Sequence, residues 1–228
     1  NSFLVVASSH EVSGLKSDVL AYHYSTDRKP HYCKETTFVK QASGSDIKVA
    51  CRLLSTSTAK REDGIVLFRP EALSDYTPGV PLSWEFIKIV SRDGWRIDEV
   101  ADYFRRYINI LSKLTTTTGE KIEVFTDEKK DHVRGQFIDA IPQNIVCLPN
   151  DVYRLIDTEW QGTDNASVAR LVFRTVLLQL ASITRVGQPA QGTSKPLTRQ
   201  NFVRELLVLL GYENAIDQIP AFLGSEAA

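Results

Sequence analysis

A chain of 228 residues, 43% apolar and 24% charged, has the make-up of a soluble globular protein long enough to bury a core. Its net charge of -1 gives no sign of a surface for nucleic acid or an anionic membrane. No apolar run reaches the length of a membrane span, and no basic-then-apolar segment opens the chain. Cys33, Cys51 and Cys147 are scattered and lack C-x-x-C spacing, so they read as reduced thiols of a cytoplasmic protein rather than a disulfide framework or a zinc site. The chain starts at Asn1 and contains no methionine, which reads as a piece of a longer protein or a sequence with residues missing.

The N-terminal part reads as strands. Phe3–Ser9 is a short apolar run, followed by a polar turn around Ser13-Gly14. Val19–Ser25 is rich in β-formers, and Thr26–Pro30 makes a turn. His31–Val39 alternates, with Tyr32, Lys34, Thr36 and Phe38 on one face. Ile47, Val49, Cys51 and Leu53 likewise point one way along Ile47–Leu53. Four strands in this region make an antiparallel meander. Ser55–Gly64 is a polar loop, Ile65–Arg69 is a further apolar segment, and Pro78-Gly79 is a strong turn signal inside Asp75–Leu82.

From Pro81 the pattern becomes helical. Trp84–Val90 is a short apolar segment ending at Asp93-Gly94. Ile97, Val100, Ala101, Phe104, Ile108 and Leu111 then recur at spacings of three and four, one stripe of a helix that Thr115–Gly119 is expected to end. Lys121–Asp131 is a charged loop. His132 is a lone histidine without partners at ligand spacing, so no metal is assigned to it. Gln136–Gln161 reads as two apolar strands, FIDAIPQNIVCL and VYRLID, joined at Pro149-Asn150-Asp151. Asp164 or Asn165 can cap a helix carrying Val168, Leu171, Val172, Leu178 and Ile183. Gly187–Pro196 is a linker. Thr198 caps a last helix with Phe202, Leu206, Leu209 and Leu210 inward, and Gly211 stops it.

The chemistry concentrates in the Gln136–Gln161 stretch. It offers Asp139, Asn144 five positions on, and Asp157 thirteen beyond that, at the end of an apolar strand. Magnesium-assisted phosphoryl transfer needs such a set: one carboxylate for the acceptor's proton, and an amide oxygen with a second carboxylate for the metal. The competing reading is a plain β-hairpin whose polar residues serve turns and solvent.

These residues resemble the catalytic loop and metal-binding strand of the protein-kinase-like fold, D-x-x-x-x-N followed by a strand ending in Asp. Phe137-Ile138 stand where kinases have His-Arg, and Thr158-Glu159 replace Phe-Gly. The wording IDAIPQN…IDTEW is similar to a kinase-like region of bacterial proteins that also carry an S-adenosylmethionine-dependent methyltransferase domain, some of which modify surface polysaccharides such as O-antigen. The resemblance implies a two-lobed α+β fold, with a small antiparallel β lobe over residues 1–75 and a mainly helical lobe over 76–228. It also implies ATP and Mg2+ as cofactors and a glycan hydroxyl as acceptor. Asp139 would be the catalytic base, Asn144 and Asp157 the metal ligands, and Lys34, mid-strand after Tyr32-Cys33, the nucleotide-binding cation. For Lys34 the competing reading is a solvated strand lysine. Tyr76-Thr77-Pro78-Gly79 is similar to the hinge of small-molecule kinases.

Two companions of that pattern are missing. No G-x-G-x-x-G lies between the first two strands, where Gly14 stands alone, and no clear helix after Lys34 carries a partner glutamate, Glu62 and Glu71 being the nearest candidates. Glu159 adds a carboxylate beside Asp157 that either serves metal or acceptor or pairs with an arginine, with Trp160 as a packing anchor. A serine nucleophile elbow, a P-loop and a dinucleotide-type glycine loop are all absent. The leading expectation is an ATP-dependent phosphotransferase. Its alternatives are a catalytically inactive pseudokinase or an accessory acceptor- or partner-binding region of a methyltransferase polypeptide.

Overall fold

The computed structural model describes residues 18–42, 46–55, 66–190 and 198–227. The expected strand at Phe3–Ser9, Gly14, Glu62 and most of the two polar loops lie outside these residues. Antiparallel pairing organises the first part of the chain. Strands β1 (Val19–Ser25), β2 (Lys34–Lys40) and β3 (Ile47–Leu53) form a meander. β4 (Val66–Phe68) follows, and β5 (Leu73–Asp75) completes a four-stranded sheet in the order β1-β2-β3-β5. The strand expected from His31 begins only at Lys34, because Pro30 opens a 3-10 turn over Pro30–Tyr32. Proline's fixed φ suits that turn, and the missing N–H forbids a ladder bond. Lys34 is therefore the first residue of β2, opposite Ser25 and Leu53, and not a mid-strand residue.

Strand β6 (Val80–Pro81) leads into helix α1 (Ser83–Val90) and helix α2 (Ile97–Leu111). A Cβ at Gly79 would press on the Val146 side chain and lie 2.8 Å from the Cys147 carbonyl, so the Pro78-Gly79 turn needs its glycine. α2 buries Val100, Ala101, Phe104 and Leu111 as its spacing predicts, and adds Tyr103 and Tyr107. It stops at Leu111, before the threonine run. Leu114–Thr115 instead form β7, and Gly119, at φ 93°, closes a turn onto Thr116.

After β8 (His132–Val133), two 3-10 turns at Gly135–Phe137 and Pro142–Asn144 replace most of the first expected strand of the hairpin. Only β9 (Ile145–Leu148) and β10 (Val152–Leu155) pair, across a turn in which Asn150 and Asp151 both take positive φ. They make a second sheet, β6-β9-β10-β7. β11 (Trp160–Gly162) then returns to pair with β4, and β12 (Ala166–Ser167) pairs with β8.

Helix α3 (Val168–Ser182) is capped by Ser167, whose hydroxyl accepts from the Arg170 amide at 3.2 Å. Neither Asp164 nor Asn165 caps it; Asn165 accepts from the Gly135 amide at 3.3 Å. Helix α4 (Arg199–Leu209) has the expected Thr198 cap and ends at Gly211, φ 79°. It is not the last helix, since α5 (Ile219–Ala227) follows. The main apolar core runs from Leu82 to Phe222 and is built by the helices and the second sheet. The protein is thus a mixed α+β structure of small, mainly antiparallel sheets and five α-helices among the described residues. No helix there is long and apolar enough to cross a membrane.

Candidate functional site

The hairpin brings Asp139, Asn144 and Asp157 together through one amide group. Asn144 Nδ2 donates to the Asp139 carbonyl and to its Oδ2, each at 3.0 Å, and to the Asp157 carbonyl at 3.3 Å. Pro142 opens the 3-10 turn that presents Asn144, and the Asn144 carbonyl accepts from the Ile156 amide at 2.8 Å, tying the turn to the end of β10. With Nδ2 so engaged, the opposite corner of the amide, Oδ1, is the one free to face a cation. The preceding turn is equally constrained. A Cβ at Gly135 would press on the Gly162 carbonyl and lie 2.5 Å from that of Asp164.

Asp139 is buried, and its second oxygen is also engaged. Arg174, on α3, donates to Oδ1 at 3.0 Å and pairs through its other nitrogen with Glu226 on α5. Burial pushes the Asp139 carboxyl up to about 6, against the pull of Arg174. Behind it, the buried Tyr107 hydroxyl donates to the Ala140 carbonyl at 2.9 Å, fixing the backbone beside Asp139.

Lys34 reaches the same segment from the first sheet. It is 6% exposed, and its ammonium lies 3.2 Å from Asp157 Oδ1 and against Glu159 Oε2. Burial favours the neutral amine, but Asp157 and Glu159 more than offset this, and the pKa is raised. Glu159, 4% exposed, also pairs with Arg28 at 2.9 Å, the arginine partner that the sequence left open. The Arg28 guanidinium lies 5.7 Å from the ring centre of Trp160, which packs with Phe68 and Tyr32 at 4.7 and 4.9 Å. Asp157 differs from Glu159 in backbone and in exposure. Its backbone takes the left-handed conformation, φ 52°, and its side chain is 52% exposed.

A cavity of about 1070 Å³ opens between the first sheet and the hairpin. Lys34, Thr36 and Phe38, one face of β2, line it opposite Asp157 and Glu159, and Tyr76 and Thr77 line it as well. Asp139 and Asn144 are not among its lining residues. Two of the four nominated side chains, Lys34 and Asp157, thus line the cavity, while Asp139 is buried and Asn144 half-buried beside it. Glu71 also lines the cavity, but its side chain is not what holds Lys34.

Among the described residues no group of three or more His, Cys, Asp or Glu forms a metal cage. Magnesium seldom uses such a cage; it takes one or two carboxylates and completes its shell with water and phosphate. The exposed Asp157 carboxylate and Asn144 Oδ1 fit that donor set. The three cysteines are free, and Cys51 lines the cavity.

Arg28, Arg174 and Glu226 were not singled out from the sequence. Arg174 did carry a signal, as the one charged residue within the apolar run Leu171–Leu178 of α3. A charge on such a face must find a partner. No family model, curated protein or solved structure matches this chain.

Proposed function

We propose that this protein is a two-lobed kinase-like phosphotransferase that moves the γ-phosphoryl group of ATP to a hydroxyl acceptor. The reading is carried by one observation: the Asn144 amide joins Asp139 to Asp157, and Asp157 is ion-paired with Lys34 on a cavity wall. The division at about residue 75 is supported by a main core that begins at Leu82, beyond the Pro78-Gly79 turn. Typical small-molecule sites enclose about 300–1,000 Å³. A cavity of about 1070 Å³ therefore has room for a nucleotide beside an acceptor.

Asn144 Oδ1 and Asp157 would hold Mg2+, which when bound neutralises charge on the transferring phosphoryl group. Lys34, on the cavity wall, would supply the cation for the α and β phosphates. Asp139 accepts the hydroxyl proton as the new P–O bond forms and the bond to the ADP leaving group breaks, and Arg174 holds the carboxylate in place. By the resemblance above, the acceptor is a sugar of a surface polysaccharide, handled in the cytoplasm and in company with a methyltransferase domain of the same polypeptide. The test is phosphate transfer from ATP to glycan acceptors. Asp139→Ala is expected to lower the rate by about 10²–10⁴-fold, the usual worth of a positioned base. Unchanged transfer would remove Asp139 from the mechanism.

A specific observation favours a second reading. Both Asp139 oxygens are engaged, by Arg174 and Asn144, and Asp139 does not line the cavity. In that reading the hairpin is retained as architecture in a pseudokinase or an accessory region that binds acceptor or partner. It predicts no transfer with any acceptor.

A further inference from the structure

We infer that Glu159 is the positioning residue of Lys34, delivered by the same segment that carries Asp157; the inference rests on the phosphotransferase reading for its purpose. A lysine ammonium on a flexible four-carbon stem, buried without a partner, would turn out to solvent. Lys34 needs an anion that is itself fixed.

Glu159 is fixed at both ends. Its backbone carbonyl accepts from the Arg69 amide at 2.7 Å, and the next residue, Trp160, pairs with Phe68 as β11 joins β4. Its carboxylate lies between two cations, Arg28 on Oε1 and Lys34 on Oε2. Arg28 is held in turn over the Phe68 and Trp160 rings, 5.9 and 5.7 Å from their centres. The carboxylate has little freedom to rotate away.

The two acids beside Lys34 therefore differ in kind. Asp157 is half exposed and faces the cavity, so it is free to turn to another cation. Glu159 is enclosed and already shared between two cations, a poor candidate for a metal ligand. When Asp157 engages a metal, Glu159 keeps the ammonium aimed at the cavity. The aim of Lys34 is then coupled to the Asp157–Trp160 segment and to its docking on β4.

The experiment pairs amine labelling with nucleotide binding. In the wild-type protein Lys34, read by mass spectrometry with acetic anhydride as reagent, is expected to label far more slowly than the exposed Lys121. Glu159→Gln should make Lys34 label several-fold faster in protein that still melts cooperatively. Glu159→Asp, which keeps the charge but falls short by one methylene, should give an intermediate rate, and it serves should the glutamine variant fail to fold. For ADP without metal, Glu159→Gln and Lys34→Ala should each weaken binding about tenfold, the cost of one charge-assisted contact. The double variant should be no worse than either alone.

Unchanged Lys34 labelling in both Glu159 variants would overturn the inference. So would a loss of nucleotide affinity that is additive with Lys34→Ala and confined to magnesium, the signature of a metal ligand. If wild-type protein bound no ADP while Lys34 labelling responded as expected, the pairing would stand and the phosphotransferase reading would fall.

Discussion

Asp139 is the base in the proposed mechanism, and its burial makes a definite statement about pH. Burial raises its carboxyl from 3.8 to about 6 in the folded chain. A carboxyl raised on folding stabilises the folded state most when protonated. That contribution is complete below about 4 and is lost as pH rises through about 6. A shift of this size corresponds to roughly 3 kcal/mol. In metal-free protein, wild type should gain stability relative to Asp139→Asn as pH is lowered from 7 to 4, read as the difference between their melting temperatures. A constant difference would mean that Asp139 is not held in an unfavourable environment. The neighbouring acids are disposed differently: Asp157 is open to the cavity, and Glu159 is compensated by two cations.

At the scale of elements, close approach of backbones sets the site. The turn at Gly135 abuts the carbonyls of Gly162 and Asp164, and the next turn, Pro142–Asn144, carries Asn144 to Asp139. Gly135→Ala should therefore cost about 1–3 kcal/mol by thermal melting, as overpacking does. Gly224→Ala, where a Cβ meets nothing within 4 Å on α5, should be neutral or slightly stabilising. Equal effects of the two would refute this account of the turn. Local pattern made several elements legible. β1 and β3 have the bounds that β-forming residues and alternation predict, α2 buries most of its three–four stripe although it stops short of the threonine run, and Thr198 caps α4 as expected. The misreadings also have local causes. Pro30 and Pro142 open 3-10 turns where apolar runs suggested strand, and Ser167 outcompetes Asp164 and Asn165 as a cap. α5 contains Pro220 and Gly224 and shows no polar–apolar periodicity strong enough to mark it as a helix.

Over the whole molecule, charges from distant parts of the chain converge on residues 139–159. Arg28 arrives from the β1–β2 connection and Lys34 from the start of β2, while Arg174 links Asp139 to Glu226 near the end of the described chain. Spacing within the hairpin nominated Asp139, Asn144 and Asp157, and alternation placed Lys34 on one face with Thr36 and Phe38. The cross-chain pairs were not legible, because ion pairs between remote segments leave no periodic trace in sequence. The central claim is that the cavity beside Lys34 and Asp157 takes a magnesium nucleotide. Thermal melting of wild type and Asp157→Ala, with and without ATP and Mg2+, tests it most directly. A ligand at a hundred times its Kd stabilises a folded protein by about 2.7 kcal/mol, roughly 5–11 °C for a chain of this size. A magnesium-dependent rise of that order in wild type, lost in Asp157→Ala, is the predicted result. No shift at millimolar ATP in the wild-type protein would contradict it.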